Sequence, residues 1–121
     1  MQCGQVQFLR RDDQLLATPL QVEKTETALE RTRGLLGKPA MSDNQGFWIA
    51  PCNSVHTFGM RYPLDIVYLD RQQQISRIKP HLKPFRVSWY LLARSVIELR
   101  AGAVEALGLR AGDELHWMGH D

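Results

Sequence analysis

The stretch Leu64-Asp65-Ile66-Val67-Tyr68-Leu69 decides the fold. Alternation along a strand puts Asp65 on one face with Val67 and Leu69, and Leu64, Ile66 and Tyr68 on the other. Both faces are apolar, the signature of a strand covered on both sides, so this one belongs in the middle of a sheet and Asp65 is shielded. A shielded carboxylate needs a partner, because an unpaired buried charge costs several kcal/mol. Residues 94–99 repeat the pattern: Arg94, Val96 and Glu98 share one face, Ser95, Ile97 and Leu99 the other. The expectation is one network, in which Arg94 or Arg61 pairs with Asp65 and Glu98 finds a second cation or backbone donors.

Outward from this centre the chain is a succession of short strand-like runs, at residues 6–9, 15–16, 20–22, 47–49, 55–58, 75–78, 95–99 and 114–118, with turn signals at 12–14, 70–73 and 111–113. One helix interrupts them. Thr27 and Glu30 have capping-box spacing, Ala28, Leu29, Thr32, Leu35 and Leu36 form a stripe, and Gly37 with Pro39 ends it. Gly34 falls inside that helix, where close packing against a strand would explain it. A helical turn at 103–107 stops at Gly108, and residues 79–90, with prolines at 80 and 84, read as a loop. The sum is a mainly β, single-domain sandwich or barrel with one short helix in its first third and a helical turn near the C-terminus.

The 121 residues suit one domain, 1–121. Fifteen Lys and Arg against thirteen Asp and Glu give a net charge of +2, too weak by itself to call for nucleic acid or an anionic membrane. No apolar run approaches the roughly 20 residues of a membrane span. The opening MQCGQVQFLR has no signal-peptide core, so a cytoplasmic location is expected of the chain as it stands, and export if a leader has been removed. Cys3 and Cys52 do not suggest a disulfide.

Chemistry concentrates in Cys52-Asn53-Ser54-Val55-His56-Thr57-Phe58-Gly59-Met60-Arg61. As a pocket floor it would offer His56 as proton carrier, Cys52 as nucleophile and Arg61 as anion clamp. The competing use is structural, with His56 and Thr57 serving backbone groups at a turn and Cys52 filling core space. Trp48 and Trp89 can wall such a pocket or simply fill space. Histidines at 56, 81, 116 and 120 show no metal-site spacing, so no metal or cofactor is expected. Residues 79–90 interleave cations with rings, a composition able to stack single-stranded bases, but the low overall charge argues against nucleic acid.

Several pieces, in order, resemble the prokaryotic family known as domain of unknown function 192: residues 31–37 (RTRGLLG), 46–49 (GFWI), 56–70 (HTFGMRYPLDIVYLD), 98–102 (ELRAG) and 108–113 (GLRAGD). The match runs from about 20 to 118. The resemblance implies a compact, mainly β domain and supplies no activity; many relatives carry export signals. Its motif positions fall on Arg31, His56, Thr57, Met60, Asp65, Glu98, Gly102 and Gly112. The leading expectation is a non-catalytic module that binds a small ligand or peptide through Arg31, His56, Thr57, Arg61, Asp65, Arg94 and Glu98. Two rivals stand beside it: a small hydrolase or thiol enzyme using Cys52, His56 and Asp65, and a protein-interaction module with an exposed strand edge.

Overall fold

A computed structural model describes residues 2–10, 15–27, 30, 31, 34, 35 and 40–119. It contains strands β1 (Gln2–Leu9), β2 (Leu15–Lys24), β3 (Gln45–Ile49), β4 (Ser54–His56), β5 (Leu64–Leu69), β6 (Ile75–Leu82), β7 (Val87–Trp89), β8 (Ser95–Arg100) and β9 (Glu114–Gly119), with helix α1 (Ala103–Leu107) between the last two. Seven strands form one sheet in the order β6-β5-β8-β3-β2-β1-β9, while β4 and β7 pair separately. Every contact in the large sheet is antiparallel except β2–β3. A parallel pair needs a long crossover, which the segment carrying the capping box supplies.

The sheet curls until its two edges approach. Gln74, just before β6, bridges to Glu114 of β9, and Leu115 N–H reaches Gln73 O at 2.8 Å. Inside the curl lie Val6, Phe8, Val22, Trp48, Val67 and Ile97, closed at one side by Ala103 and Leu109. On the outer face, Phe47, Ile49, Leu64, Ile66, Tyr68 and Val96 form a second core beneath Leu35, Val55, Met60 and Ala93. All six residues of β5 are buried. The sequence parity thus holds, and the fold is the expected mainly β domain, as a curled half-barrel. Gly46 sits in close packing: a Cβ there would stand 3.0 Å from Leu99 Cδ2, so that side chain would have to give way.

The network expected around Asp65 takes another form. Asp65 is 1% exposed and faces inward. Its Oδ1 accepts His81 N–H at 2.9 Å, and Oδ2 accepts Gly102 and Val104 N–H at 3.0 Å each. Pro80 and His81 stand together opposite Asp65, between the pairs Leu64–Leu82 and Ile66–Lys79 of the β5–β6 ladder, so one residue opposes two. This bulge frees the His81 N–H, and the start of α1 frees two more. Three backbone donors replace the guanidinium that the sequence suggested. Moreover, Asp65 pairs with Leu99 while Glu98 pairs with Ile66, so the two carboxyls lie on opposite faces of the sheet and share no network.

Two further expectations change. Residues 79–90 are not one loop: β6 continues to Leu82 through Pro80, tolerable because β6 is an edge strand, and β7 pairs with β4. Gly34 is not an interior helical residue under a strand. Its φ is +56° with nothing within 4 Å of a Cβ, so it supplies a left-handed backbone at the end of a helical turn. The capping box itself forms, with Glu30 N–H on Thr27 Oγ1 at 3.1 Å and Thr27 N–H on Glu30 Oε1 at 3.2 Å. The turn at 12–14 and Ala28, Leu29, Thr32, Leu36, Gly37 and Pro39 lie outside the described residues.

Asp65→Asn keeps the size but replaces one acceptor oxygen with a donor, setting it against backbone N–H groups. Thermal unfolding should show a loss of about 2–4 kcal/mol, a drop in melting temperature on the order of 10 °C. An unchanged melting temperature would remove Asp65 from the framework.

Candidate functional site

Glu98 occupies the outer face in the middle of the sheet, opposite Phe47 of β3 and Ile66 of β5. It is 4% exposed, and among the described residues no hydrogen bond or ion pair to its carboxyl is present. Burial alone pushes its pKa up from 4.5 to about 8, so the group is mostly a neutral acid at neutral pH. A neutral carboxyl has one O–H to give and a carbonyl to accept with.

Glu98 borders a cleft of about 220 Å³. One wall comes from Arg31, Gly34 and Leu35, and another from Cys52, Ser54, Val55, His56, Phe58 and Met60; Ile49 and Leu64 join Glu98 on the sheet. A cis Ala50–Pro51 bond precedes the second wall, and Gly59 within it has φ +81°. Arg31 favours ionisation of the Cys52 thiol, which places its positive field in the cleft. The opposing effects of burial and Glu98 prevail, and the thiol pKa is raised. Cys52 Sγ donates to Ser54 O at 3.0 Å. His56 stands at the rim with its ring stacked on Phe58, centroids 5.4 Å apart.

Of the residues singled out from sequence, the cleft gathers Arg31, Cys52, His56 and Glu98. Asp65 lies on the sheet's other face, so Cys52, His56 and Asp65 do not meet as a catalytic set. Thr57 is fully buried and structural: Oγ1 donates to Lys83 O at 2.6 Å and accepts Arg86 N–H at 2.9 Å, holding the turn before β7. Arg61 and Arg94 are exposed and line no part of the cleft. Trp48 fills the inner core and Trp89 is 62% exposed, so neither is a cleft wall. Among the described residues no three His, Cys, Asp or Glu side chains gather around a point suited to a metal ion. Sequence reading missed the cleft's apolar lining, Leu35, Ile49, Val55 and Leu64, because their pattern is that of ordinary core residues.

Residues 8–117 match the family profile DUF192, described as an uncharacterised ACR. The chain belongs to this family. A UPF0127 protein of Thermococcus sibiricus is 29% identical over 104 residues, which cover 79% of this chain and 65% of that protein. The chain therefore spans just under two-thirds of that relative. Two solved structures share the fold. One, a "putative transcription regulator" from Sinorhizobium meliloti 1021, has a TM-score of 0.85 at 21% identity, covering 95% of this chain and 93% of its own. The other, a protein of unknown function from Novosphingobium aromaticivorans, has a TM-score of 0.82 at 19% identity, with 95% and 85% covered. No helix described in this DUF192 chain is long and apolar enough to cross a membrane.

The raised pKa of Glu98 has a readable consequence for the DUF192 fold. Below pH 4.5 Glu98 is protonated in both folded and unfolded chains; from there to about pH 8 only the folded chain keeps its proton. The unfolded chain then binds fewer protons, so stability falls as pH rises across that window and levels off above it. Melting curves should show Glu98→Gln gaining on the parent from pH 5 to pH 8; parallel curves would mean that the group ionises normally. Alkylation offers a second check: exposed Cys3 should label with iodoacetamide well before Cys52, whose thiol is held protonated. Faster labelling at Cys52 would favour thiol chemistry instead.

Proposed function

We propose that this domain is a non-catalytic binding module whose cleft takes a small organic anion with an apolar tail. The single observation behind this reading is Glu98, a carboxyl only 4% exposed to which no described residue hydrogen-bonds, at the edge of an open cleft. Buried polar groups are nearly always satisfied, and a ligand is one means of satisfying this one. Arg31 supplies a cation for the anionic end, and the neutral Glu98 supplies an O–H donor beside it. Leu35, Ile49, Val55, Met60 and Leu64 offer an apolar lining for the tail. A space of about 220 Å³ suits a ligand of this size better than an extended peptide.

Hexanoate is the simplest probe. Titrating it at pH 6.5 should shift the amide resonances of Ile49, Cys52, Ser54 and Glu98. Arg31→Met should weaken binding roughly tenfold. Affinity should also fall as pH passes about 8, where Glu98 ionises and repels the anion, and Glu98→Gln should abolish that pH dependence. Resonance shifts confined to other surfaces, or an Arg31→Met variant that binds as well as the parent, would overturn the reading.

A further inference from the structure

Residues 71–97 carry six cations, at Arg71, Arg77, Lys79, Lys83, Arg86 and Arg94, and no acid; the remainder of the chain is net −4. The modest overall charge therefore conceals a strongly one-sided distribution. The same segment carries the most exposed large apolar side chains among the described residues. Tyr90 to Ala93 is a tight turn closed by Ala93 N–H on Tyr90 O at 2.9 Å, and its two corner residues, Leu91 and Leu92, are each 75% exposed. Turn corners normally hold Gly, Asn, Asp or Ser, so two projecting leucines are a departure from turn chemistry. Just before the turn, Trp89 and Val87 face outward from β7, 62% and 49% exposed, with Phe85 at 63%.

Charge and apolar surface are interleaved in space as well as in sequence. Leu91 and Leu92 line a shallow groove with Arg71 and Arg94. Asp70 borders the same groove, but its Oδ1 already accepts Gln72 and Gln74 N–H at 2.9 and 3.0 Å. Lys83 and Arg86 flank Phe85. Of the possible occupants, an anionic lipid surface matches both components. Leucine and tryptophan partition into the headgroup boundary, and Arg71 and Arg94 outnumber Asp70 at the groove, leaving cationic charge to meet lipid phosphates. Single-stranded nucleic acid would stack on Phe85 and Trp89, but the two most exposed side chains of the patch, Leu91 and Leu92, offer no stacking face.

We propose that the β7 face and the Tyr90–Ala93 turn dock onto an anionic lipid bilayer, with Leu91, Leu92 and Trp89 entering the headgroup layer. The helix content plays no part: the domain lies on the surface through a loop and a small sheet. This inference is independent of the cleft and survives if the cleft binds nothing.

Co-sedimentation with phosphatidylcholine vesicles, with and without phosphatidylglycerol, tests it. The chain should sediment only with the phosphatidylglycerol vesicles at about 0.1 M salt and be released as salt rises toward 1 M. Binding should blue-shift tryptophan emission in the parent but not in Trp89→Phe. The double variant L91D/L92D should lose at least tenfold in binding while its melting temperature stays put, since both side chains are exposed. Failure to sediment with anionic vesicles, equal binding to phosphatidylcholine alone, or an unaffected L91D/L92D variant would overturn the proposal. So would vesicle-independent self-association abolished by L91D/L92D, or single-stranded oligonucleotide binding in place of vesicle binding.

Discussion

A single carboxylate ties the frame together. Asp65 accepts from the N–H of His81 in the β6 bulge and from those of Gly102 and Val104 at the start of α1. These segments come from sequence separations of 16 to 39 residues, yet one side chain fixes all of them to β5, the strand next to the sheet edge. The bulge and the short helix are places where a backbone donor loses its regular partner, and a buried orphan donor is costly. An aspartate satisfies three such donors from one point. Helix α1 then brings Ala103 against the inner core, and the curl of the sheet has something to close upon.

Asp65 and Glu98 differ because of their surroundings. Both are acidic residues on neighbouring buried strands, at 1% and 4% exposure. The inner face offers Asp65 three donors from irregular backbone. On the outer face Glu98 is flanked by the regular strands β3 and β5, whose N–H groups point along the sheet to their ladder partners and not up toward the side chain. Glu98 thus has burial without compensation, and its response is to hold its proton. Stability alone would favour an apolar residue of similar volume at this place.

How much of this was legible in the sequence follows from the range of the forces. The parity of 64–69 and 94–99 fixed which side chains share a face, and it places Asp65 and Glu98 correctly on their strands. The partners were not legible, because they depend on the register between strands. The pairing of Glu98 with Ile66 puts the two carboxyls back to back. A backbone N–H is invisible as a donor until one knows which ladder bond is missing, so the sequence pointed to Arg61 and Arg94 as the visible cations. Pro80 misled in the same way: it reads as a strand breaker, and only the edge position of β6 makes it acceptable. Thr57, by contrast, turned out as the structural reading had it, a hydroxyl serving the backbone of a turn. The cleft was half visible: its polar members stood out by type, whereas its apolar lining was indistinguishable from core.

The small β4–β7 sheet is where the two proposals touch. Val55 and Ser88 face inward, Ser88 meeting the Tyr68 hydroxyl at 2.6 Å, while His56 and Val87 pair on the outward side. One side of this layer thus rests on the outer core and the other is open. His56 belongs to both, as a member of the cleft rim and the direct cross-strand neighbour of Val87. The layer shares no ladder with the large sheet; it is held by Thr57 and, through the Ser88 hydroxyl, by Tyr68 of β5. A ligand in the cleft and a surface against Val87 and Trp89 would press on opposite sides of the same thin element. If both sites exist, linkage requires that any preference of one for a particular position of that layer be felt equally by the other.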